Sequence, residues 1–410
     1  MGLLVQKFGG SSLATPDKVL GAARRAIAEY EAGSRVVMVC SAQGDDTDRL
    51  IAMAEAIHPN PERRELDMLM AVGEQMSIAL MAIAIHRLGH NAISLTGDQA
   101  GIRTDNVSGK ARIRRIRVNR LRRELEKDQI VIVAGFQGMD SRNNITTLGR
   151  GGSDTTAVAL AAAMGAERCD IYTDVNGVYT ADPRLVPDAR WIPRIDYDEL
   201  LELASLGAKV MHSRAVELAK RFGVPFRVRS SFNDSEGTLV TELAGEMESE
   251  DVRGVALDTN EAKITMRRVP DRPGIAATIF SEIARAHVNV DMIVQNVSEK
   301  DRADVSFTVM KTDLDRALAV AGQLAARFGG TVVDSDQNIA KLSVVGIGMR
   351  SHTGVAEKMF RTLAAEKINI LMISTSEIKI SCVVEGDAGT RALQAVHKAF
   401  DLDKEKWAQP

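Results

Sequence analysis

Two glycine-rich segments, each set between an apolar strand pattern and a helical one, constrain this chain more than any other feature. KFGGSS, Lys7 to Ser12, follows the run Leu3-Leu4-Val5, and TLGRGGSDTT, Thr147 to Thr156, leads into an alanine-rich run at 157–166. A strand, a glycine turn and a helix N-terminus together form an anion site. Glycine admits close approach of the backbone, the first-turn N–H groups lack internal partners, and the helix dipole favours negative charge. Two such turns, one carrying Lys7 and the other Arg150, point to a polyphosphate held opposite an anionic acceptor. For either segment alone the plainer reading is a strand-to-helix turn, with Ser153 or Asp154 as the helix cap. Neither a Walker A pattern nor GxGxxG is present, so the chain carries no P-loop and no Rossmann dinucleotide fingerprint.

The first 240 residues alternate between strand and helix patterns. Strands are expected at 35–40, 91–95, 130–134, 170–173 and 225–228, and helices at 66–88, 154–164 and 213–222. This alternation predicts an α/β fold, a mostly parallel sheet sandwiched by helices. Ligands in such sheets gather beyond the carboxyl ends of strands, where Lys7, Ser41, Gly135 and Asp174 fall. The expected division is a catalytic domain at 1–240, an acidic linker at 241–251 reading TELAGEMESED, and two small modules at 252–335 and 336–410. The modules form an internal repeat at an offset of about eighty residues. Gly274 matches Gly354, Phe280 matches Phe360, Asn289 matches Asn369 and Met292 matches Met372. Each copy reads as a βαββαβ ferredoxin-like unit. The copies differ at their turns, Asp271-Arg272-Pro273-Gly274 against Ser351-His352-Thr353-Gly354. Such a pair serves either dimerisation through sheet and helix faces or a ligand site where the glycine turns meet.

The balance of 52 Lys and Arg against 55 Asp and Glu argues against a general nucleic-acid binder. The arginines at 112, 114, 115, 117, 120, 122 and 123 lack interleaved aromatics and read as a solvated face paired with Glu124 and Glu126. No uninterrupted run reaches the ~18 apolar residues that a bilayer requires. The chain enters a strand almost at once, which leaves no secretory leader. Cys40, Cys169 and Cys382 are scattered, with neither metal-ligand spacing nor a disulfide framework. These features predict a reduced, cytoplasmic protein with buried thiols and no membrane partner.

The motifs KFGGSS, VCSAQGDDTD, LDMLMAVGEQ, TGDQAG, TLGRGGSDTTAVALAA, YTDVNGVYTADPR, LASLGAKVMHSRA and RVRSSF occur in that order. Together they resemble the aspartate kinase family of the amino acid kinase superfamily, and the repeat resembles the paired ACT domains of its monofunctional form. The likeness covers nearly the whole chain. It implies ATP-dependent phosphorylation of the side-chain carboxylate of L-aspartate to 4-phospho-L-aspartate, at the entry to lysine, threonine, methionine and diaminopimelate synthesis. A carboxylate is already an anion and needs no general base, so the task is positioning and charge neutralisation.

By the same resemblance Lys7, Lys209 and Asp174 form the catalytic set. Lys7 with the amides of Gly9 and Gly10 would hold the phosphates, Lys209 would add a second cation, and Asp174 would orient both lysines. Nucleotide contacts would extend to Phe8, Ser41, Thr173, Tyr179, Thr180, Asp182, Arg184 and Val210. Arg150 would take the substrate α-carboxylate, Glu74 its ammonium and Thr47 a hydrogen bond, with Gly151, Gly152 and Ser153 in close backbone contact. Mg²⁺ would be held by phosphate oxygens, with no protein ligand assigned. Each residue also has a plainer reading. Lys209 and Glu74 fit solvated helix positions, Asn176-Gly177 a hairpin turn, and Met68, Met70 and Met76 the core; His212 receives no role. The chain has Ser11-Ser12 and HSRA where many relatives have GGTS and HPRA, which removes no proposed catalytic group.

The ACT likeness implies lysine, threonine or both as effectors. Their contacts would be Asp271, Gly274, Ile275, Ala276, Asn289, Val290, Asp291 and Gln295 in the first copy, and Val355, Ala356, Asn369, Ile370, Ser376 and Glu377 in the second. Turn amides would take the effector carboxylate, and Asp271, Asp291 or Glu377 its ammonium. The likeness also implies a homo-oligomer through the ACT modules and a strand near 252–257 lent to the second. Some relatives add a short subunit from an internal start, for which Met247 is suitably placed. Two other readings compete. Another amino acid kinase, acting on glutamate or acetylglutamate, is opposed by Glu74, Thr47 and the ACT pair. A catalytically inactive amino-acid sensor is opposed by Lys7, Arg150, Asp174 and Lys209.

Overall fold

The computed structural model describes residues 2–205, 211–243, 252–299, 301–350 and 354–404. The described residues divide into two compact units, one built from 2–179, 191–205 and 211–243, the other from 180–190 and 252–404.

The first unit runs β1 (Leu3–Phe8), α1 (Pro16–Glu31), β2 (Arg35–Cys40), α2 (Asp46–Ile57), α3 (Arg63–Arg87), β3 (Ala92–Leu95), β4 (Ile102–Thr104), β5 (Ile113–Ile116), α4 (Asn119–Leu125), β6 (Ile130–Ala134), β7 (Gln137–Met139), β8 (Ile145–Thr147), α5 (Gly152–Met164) and β9 (Arg168–Thr173). It continues through β10 (Val178–Tyr179), β11 (Trp191–Ile192), β12 (Arg194–Ile195), α6 (Tyr197–Ser205), α7 (Ser213–Phe222), β13 (Phe226–Ser230) and β14 (Thr238–Val240). Eight strands form the main sheet in the order β12-β14-β13-β9-β1-β2-β6-β3. Every pairing in it is parallel except β13 with β14. Residues Val36 to Cys40 and all of β6 are buried, as a parallel strand covered on both faces must be. Helix α1 starts sharply because Thr15 accepts from the Lys18 N–H and Pro16 occupies the first turn. A second, four-stranded sheet, β5-β4-β7-β8, flanks the first.

Helix α3 is long and apolar enough, by length and composition alone, to cross a membrane. That qualifies the reading from uninterrupted runs, because its few charges break the run without lowering the average much. Its inner side buries Asp67 and Glu74 within the unit, which marks it as a core helix. Met70 is buried as expected, but Met68 and Met76 are not core, at 39% and 41% exposed. They lie on the outer side of the helix.

The second unit runs β15 (Gly254–Asp258), β16 (Glu261–Pro270), α8 (Ile275–Arg285), β17 (Val290–Glu299), β18 (Arg302–Met310), α9 (Leu314–Phe328), β19 (Val332–Asp336), β20 (Ile339–Val345), α10 (Val355–Ala365), β21 (Met372–Thr375), β22 (Lys379–Glu385) and α11 (Gly389–Ala399). Its first sheet, β17-β18-β16-β19, with α8 and α9, is a contiguous βαββαβ module. The second sheet, β15-β20-β22-β21, is not contiguous. The tail supplies only βαββα, and β15, from before the first module, pairs antiparallel with β20 from Gly254↔Val345 to Asp258↔Lys341. Residues 180–190 also pack here. Ala181 and Val186 join the core of the second module, and the Val255 N–H donates to the Thr180 carbonyl at 2.7 Å.

Candidate active site

Strand alternation turns Phe8 and Lys7 to opposite faces of the sheet. Phe8 is fully buried and stacked on Tyr172 with ring centroids 4.7 Å apart, so its side chain is core and not a nucleotide contact. Lys7 points the other way, toward the N-terminus of α5, where its Nζ meets Asp154 Oδ1 at 2.6 Å. The carboxylate that orients Lys7 is therefore Asp154, not Asp174. Asp174 lies exposed just past β9 and accepts from the Thr173 hydroxyl at 3.0 Å. The Gly9 N–H is also committed, donating to the Tyr172 carbonyl at 3.2 Å, which removes it from the expected phosphate cradle. Gly10 keeps its place there. A Cβ on it would lie 2.8 Å from the Ala42 carbonyl, so only glycine lets this turn close against the loop after β2.

Lys7, Gly10, Ser41, Thr47, Glu74 and Arg150 to Asp154 line one cavity of about 930 Å³. Helix α5 enters it through Gly151, whose φ of 69° is left-handed and whose missing Cβ would strike His212 at 2.2 Å. Arg150, in the turn before the helix, is exposed and ion-pairs with none of the described residues. Glu74 is 3% exposed. Its Oε1 accepts from the Ala42 N–H at 3.2 Å, and its Oε2 has no partner among the described residues. Burial pushes its carboxyl up to about 8, and the Ala42 N–H offsets only part of that. A buried carboxyl with an unmet oxygen beside an open cavity is poised for a cation.

Residues not singled out from sequence hold the lining in place. Asp67, fully buried on α3, accepts from the Gly109 N–H with both oxygens, at 3.0 and 2.9 Å, and from the Thr147 hydroxyl at 2.6 Å. Arg214, from α7, donates to the Leu148 and Ala111 carbonyls, each at 2.7 Å. Together they tie the 108–111 loop to the glycine turn that carries Arg150. The sequence signal for Asp67 is a carboxylate directly before the apolar run Met68 to Val72. From sequence, Asp154 reads only as a helix cap.

Among the other expected nucleotide contacts, Thr173 and Asp174 lie past β9, and Tyr179 lies in β10 opposite Trp191. Thr180 is 1% exposed, with its hydroxyl on His397 Nε2 at 2.9 Å and its N–H on the Arg190 carbonyl at 2.8 Å. It is bound into the second unit and offers a nucleotide no side-chain contact. Asp182 and Arg184, in the same segment, pair with each other at 2.7 Å. Lys209 and Val210 lie outside the described residues.

In the second unit a cavity of about 360 Å³ gathers Asp271, Gly274, Ile275, Ala276 and Gln295. Gly274 and Gly354 both sit in the left-handed region, at φ 93° and 102°, as helix N-caps of α8 and α10, with Val355 and Ala356 opening α10. Asn289, Val290 and Asp291 do not line this cavity. Asp291 is not a free ammonium acceptor, because its Oδ2 meets Lys341 Nζ at 2.5 Å. Lys341, buried in β20, also pairs with Glu261, and a buried cation needs both carboxylates. In the second copy Asn369 is exposed, Ile370 packs against the core, and the Ser376 N–H donates to the Lys379 carbonyl at 2.7 Å just before Glu377.

The model of the amino acid kinase family matches residues 2–230, and two ACT-domain models match 264–329 and 342–400. Over 405 residues the chain is 50% identical to an aspartokinase of Pseudomonas aeruginosa, covering 98% of both. It is similar to the solved structure of E. coli aspartokinase III in complex with aspartate and ADP (R-state), with TM-score 0.80, 28% identity, and coverage of 97% of this chain and 99% of that one. The complex of the same enzyme with lysine and aspartate (T-state) gives TM-score 0.77 and 27% identity at the same coverage, 97% and 99%. The continuous likeness through the kinase region and both ACT regions makes this chain a member of the aspartokinase family.

Proposed function

We propose that this chain transfers the γ-phosphoryl group of ATP to the side-chain carboxylate of L-aspartate, giving 4-phospho-L-aspartate and ADP. The observation that carries this reading is one cavity in which Lys7, held by Asp154, faces Arg150 and the unmet oxygen of Glu74. Arg150 clamps the α-carboxylate with its planar fork, and Glu74 takes the α-ammonium. Thr47 and the Gly151-Gly152-Ser153 backbone fix the substrate between them. With both ends held, the side-chain carboxylate points toward Lys7 and Gly10. One carboxylate oxygen attacks the γ-phosphorus as the bond from phosphorus to the bridging β,γ-oxygen breaks, and that electron pair leaves on ADP. No proton moves. Lys7 neutralises charge on the transferring group, which is most of what such catalysis requires.

Asp174, Thr173, Ser41 and Tyr179 are the nucleotide side of the site, and Lys209 with Val210 complete it by family likeness. Mg²⁺ would come in on the phosphate oxygens of the nucleotide. Bound there, Mg²⁺ would neutralise phosphate charge. Lysine, and threonine by the same chemistry, are the effectors, bound in the first module where Asp271 faces the ammonium and the turn before α8 faces the carboxylate. Effector binding favours an inactive arrangement energetically. The modules also support a homo-oligomer.

The test is ATP-dependent acyl-phosphate formation trapped with hydroxylamine, using L-aspartate, L-glutamate and N-acetyl-L-glutamate as acceptors. Hydroxamate from aspartate alone, suppressed by lysine or threonine, is the expected result. Hydroxamate from another acceptor would reassign the substrate. No hydroxamate with tight lysine binding would make the chain a sensor.

A further inference from the structure

The cavity that holds Glu74 carries more positive charge than the groups assigned to it so far. Lys7 is taken by Asp154, and Arg214 donates to two carbonyls. Lys110, Arg112 and Arg150 also line the cavity, and none of them ion-pairs with a described residue. Among the acids of the lining, Asp154 is committed to Lys7, Glu74 is buried, and Asp48 is exposed at the start of α2. Cations left together without partners repel one another until an anion joins them. Arg112 lies beside Arg214, whose guanidinium is held below its usual range by burial and by this neighbour.

Lys110 sits closer to Arg150. Its backbone is fixed on both sides: the Gly109 N–H donates to both oxygens of buried Asp67, and the Ala111 N–H donates to the Thr147 carbonyl at 2.9 Å. Gly109 and Gly149 are both left-handed, each at φ 79°. A Cβ on Gly149 would lie 3.1 Å from the Gly109 carbonyl oxygen and 3.8 Å from Lys110 Cγ, so the two glycine turns pack directly on each other. The stem of Lys110 therefore rests on the residue before Arg150, while Lys110 as a whole stays exposed. A charged head without a partner, on a backbone anchored at both neighbours, is positioned in advance for a ligand. Arg150 is itself exposed, and a single exposed ion pair holds a carboxylate weakly. We infer that Lys110 is the second cation on the substrate α-carboxylate, beside Arg150, and selects acceptors whose α-carboxyl is free and ionised. This rests on the aspartate-phosphorylating reading given above.

Titration calorimetry on the full chain compares L-aspartate with its α-amide, which keeps the ammonium and the reacting carboxylate but has no charge at the α-carboxyl. Lys110→Met leaves the stem on Gly149 and removes the charged head. It should lower the preference for aspartate over the α-amide, as a ratio of Kd values, roughly tenfold, the worth of one charge-assisted hydrogen bond. In the hydroxamate assay the same variant should raise KM for aspartate and leave KM for ATP unchanged. Lys110→Arg should keep most of the preference, and Lys110→Gln replaces the methionine variant if that one does not fold. An unchanged preference in a folded, active variant without the charge would overturn the inference and leave the proposed function standing. So would a raised KM for ATP with the preference intact, which would give Lys110 to the nucleotide. No aspartyl hydroxamate from the wild-type chain would overturn both.

Discussion

Glu74 owes its properties to where one helix leaves its two oxygens. One accepts from Ala42 and the other has no described partner, so burial dominates and raises the carboxyl to about 8. Folded, it ionises well above its ordinary 4.5. The stability it lends is therefore full below that ordinary value and is lost as pH rises through about 8, because the fold holds a proton that the unfolded chain has released. In the proposed role as partner of the substrate ammonium, Glu74 must be ionised. In the free protein, affinity for aspartate should rise with pH up to about 8, and binding at pH 7 should release a proton, read by calorimetry in buffers of different ionisation enthalpy. Glu74→Gln should abolish the proton release and weaken aspartate by roughly 10–100-fold, the value of a charge-assisted hydrogen bond. A pH-independent wild-type affinity would remove Glu74 from the ammonium site.

At the scale of elements, the catalytic lining is two short loops held by one helix residue and one arginine. Asp67→Asn keeps the shape but turns an amide N–H₂ toward the Gly109 N–H or the Thr147 hydroxyl, leaving a buried donor unmet at a cost of roughly 1–3 kcal/mol. The expected outcome is a lower urea midpoint together with a raised KM for aspartate and a KM for ATP nearly unchanged. Lost stability with both KM values intact would mean that Asp67 supports only the fold. Much of this architecture is legible in sequence where burial is two-sided. The strands at 35–40 and 130–134 match their observed limits because every residue from Val36 to Cys40 and from Ile130 to Ala134 is interior. Strands β4, β7 and β8, three residues each, are too short to show any period. The glycine turns were legible because a turn, a cation and a helix start occur together. Asp154 was visible only as a cap, since nothing in sequence tells that the strand turns Lys7 toward it. Asp67 and Arg214 act through loops distant in the chain, which no local pattern reports.

Over the whole molecule, a stretch that the family likeness puts in the nucleotide site belongs to the second unit. The chain leaves β10 at Tyr179, packs residues 180–190 into the second module core, and returns in β11 at Trp191. The two modules are themselves joined through buried Lys341, which meets Glu261 and Asp291 of the first module from the second. Asp271 is the acidic residue that lines the first-module cavity proposed above for the effector. Asp271→Ala should raise the lysine concentration for half-inhibition by roughly 10–100-fold while leaving uninhibited turnover unchanged. Unaltered inhibition would move the effector elsewhere. The catalytic assignment itself stands on Lys7. Single-turnover transfer of the γ-phosphoryl group to aspartate, measured at saturating nucleotide and beside an aspartate-binding assay, compares wild type with Lys7→Ala. The expected loss is at least about 10²–10³-fold in rate with aspartate affinity retained. Transfer at the wild-type rate would contradict the mechanism.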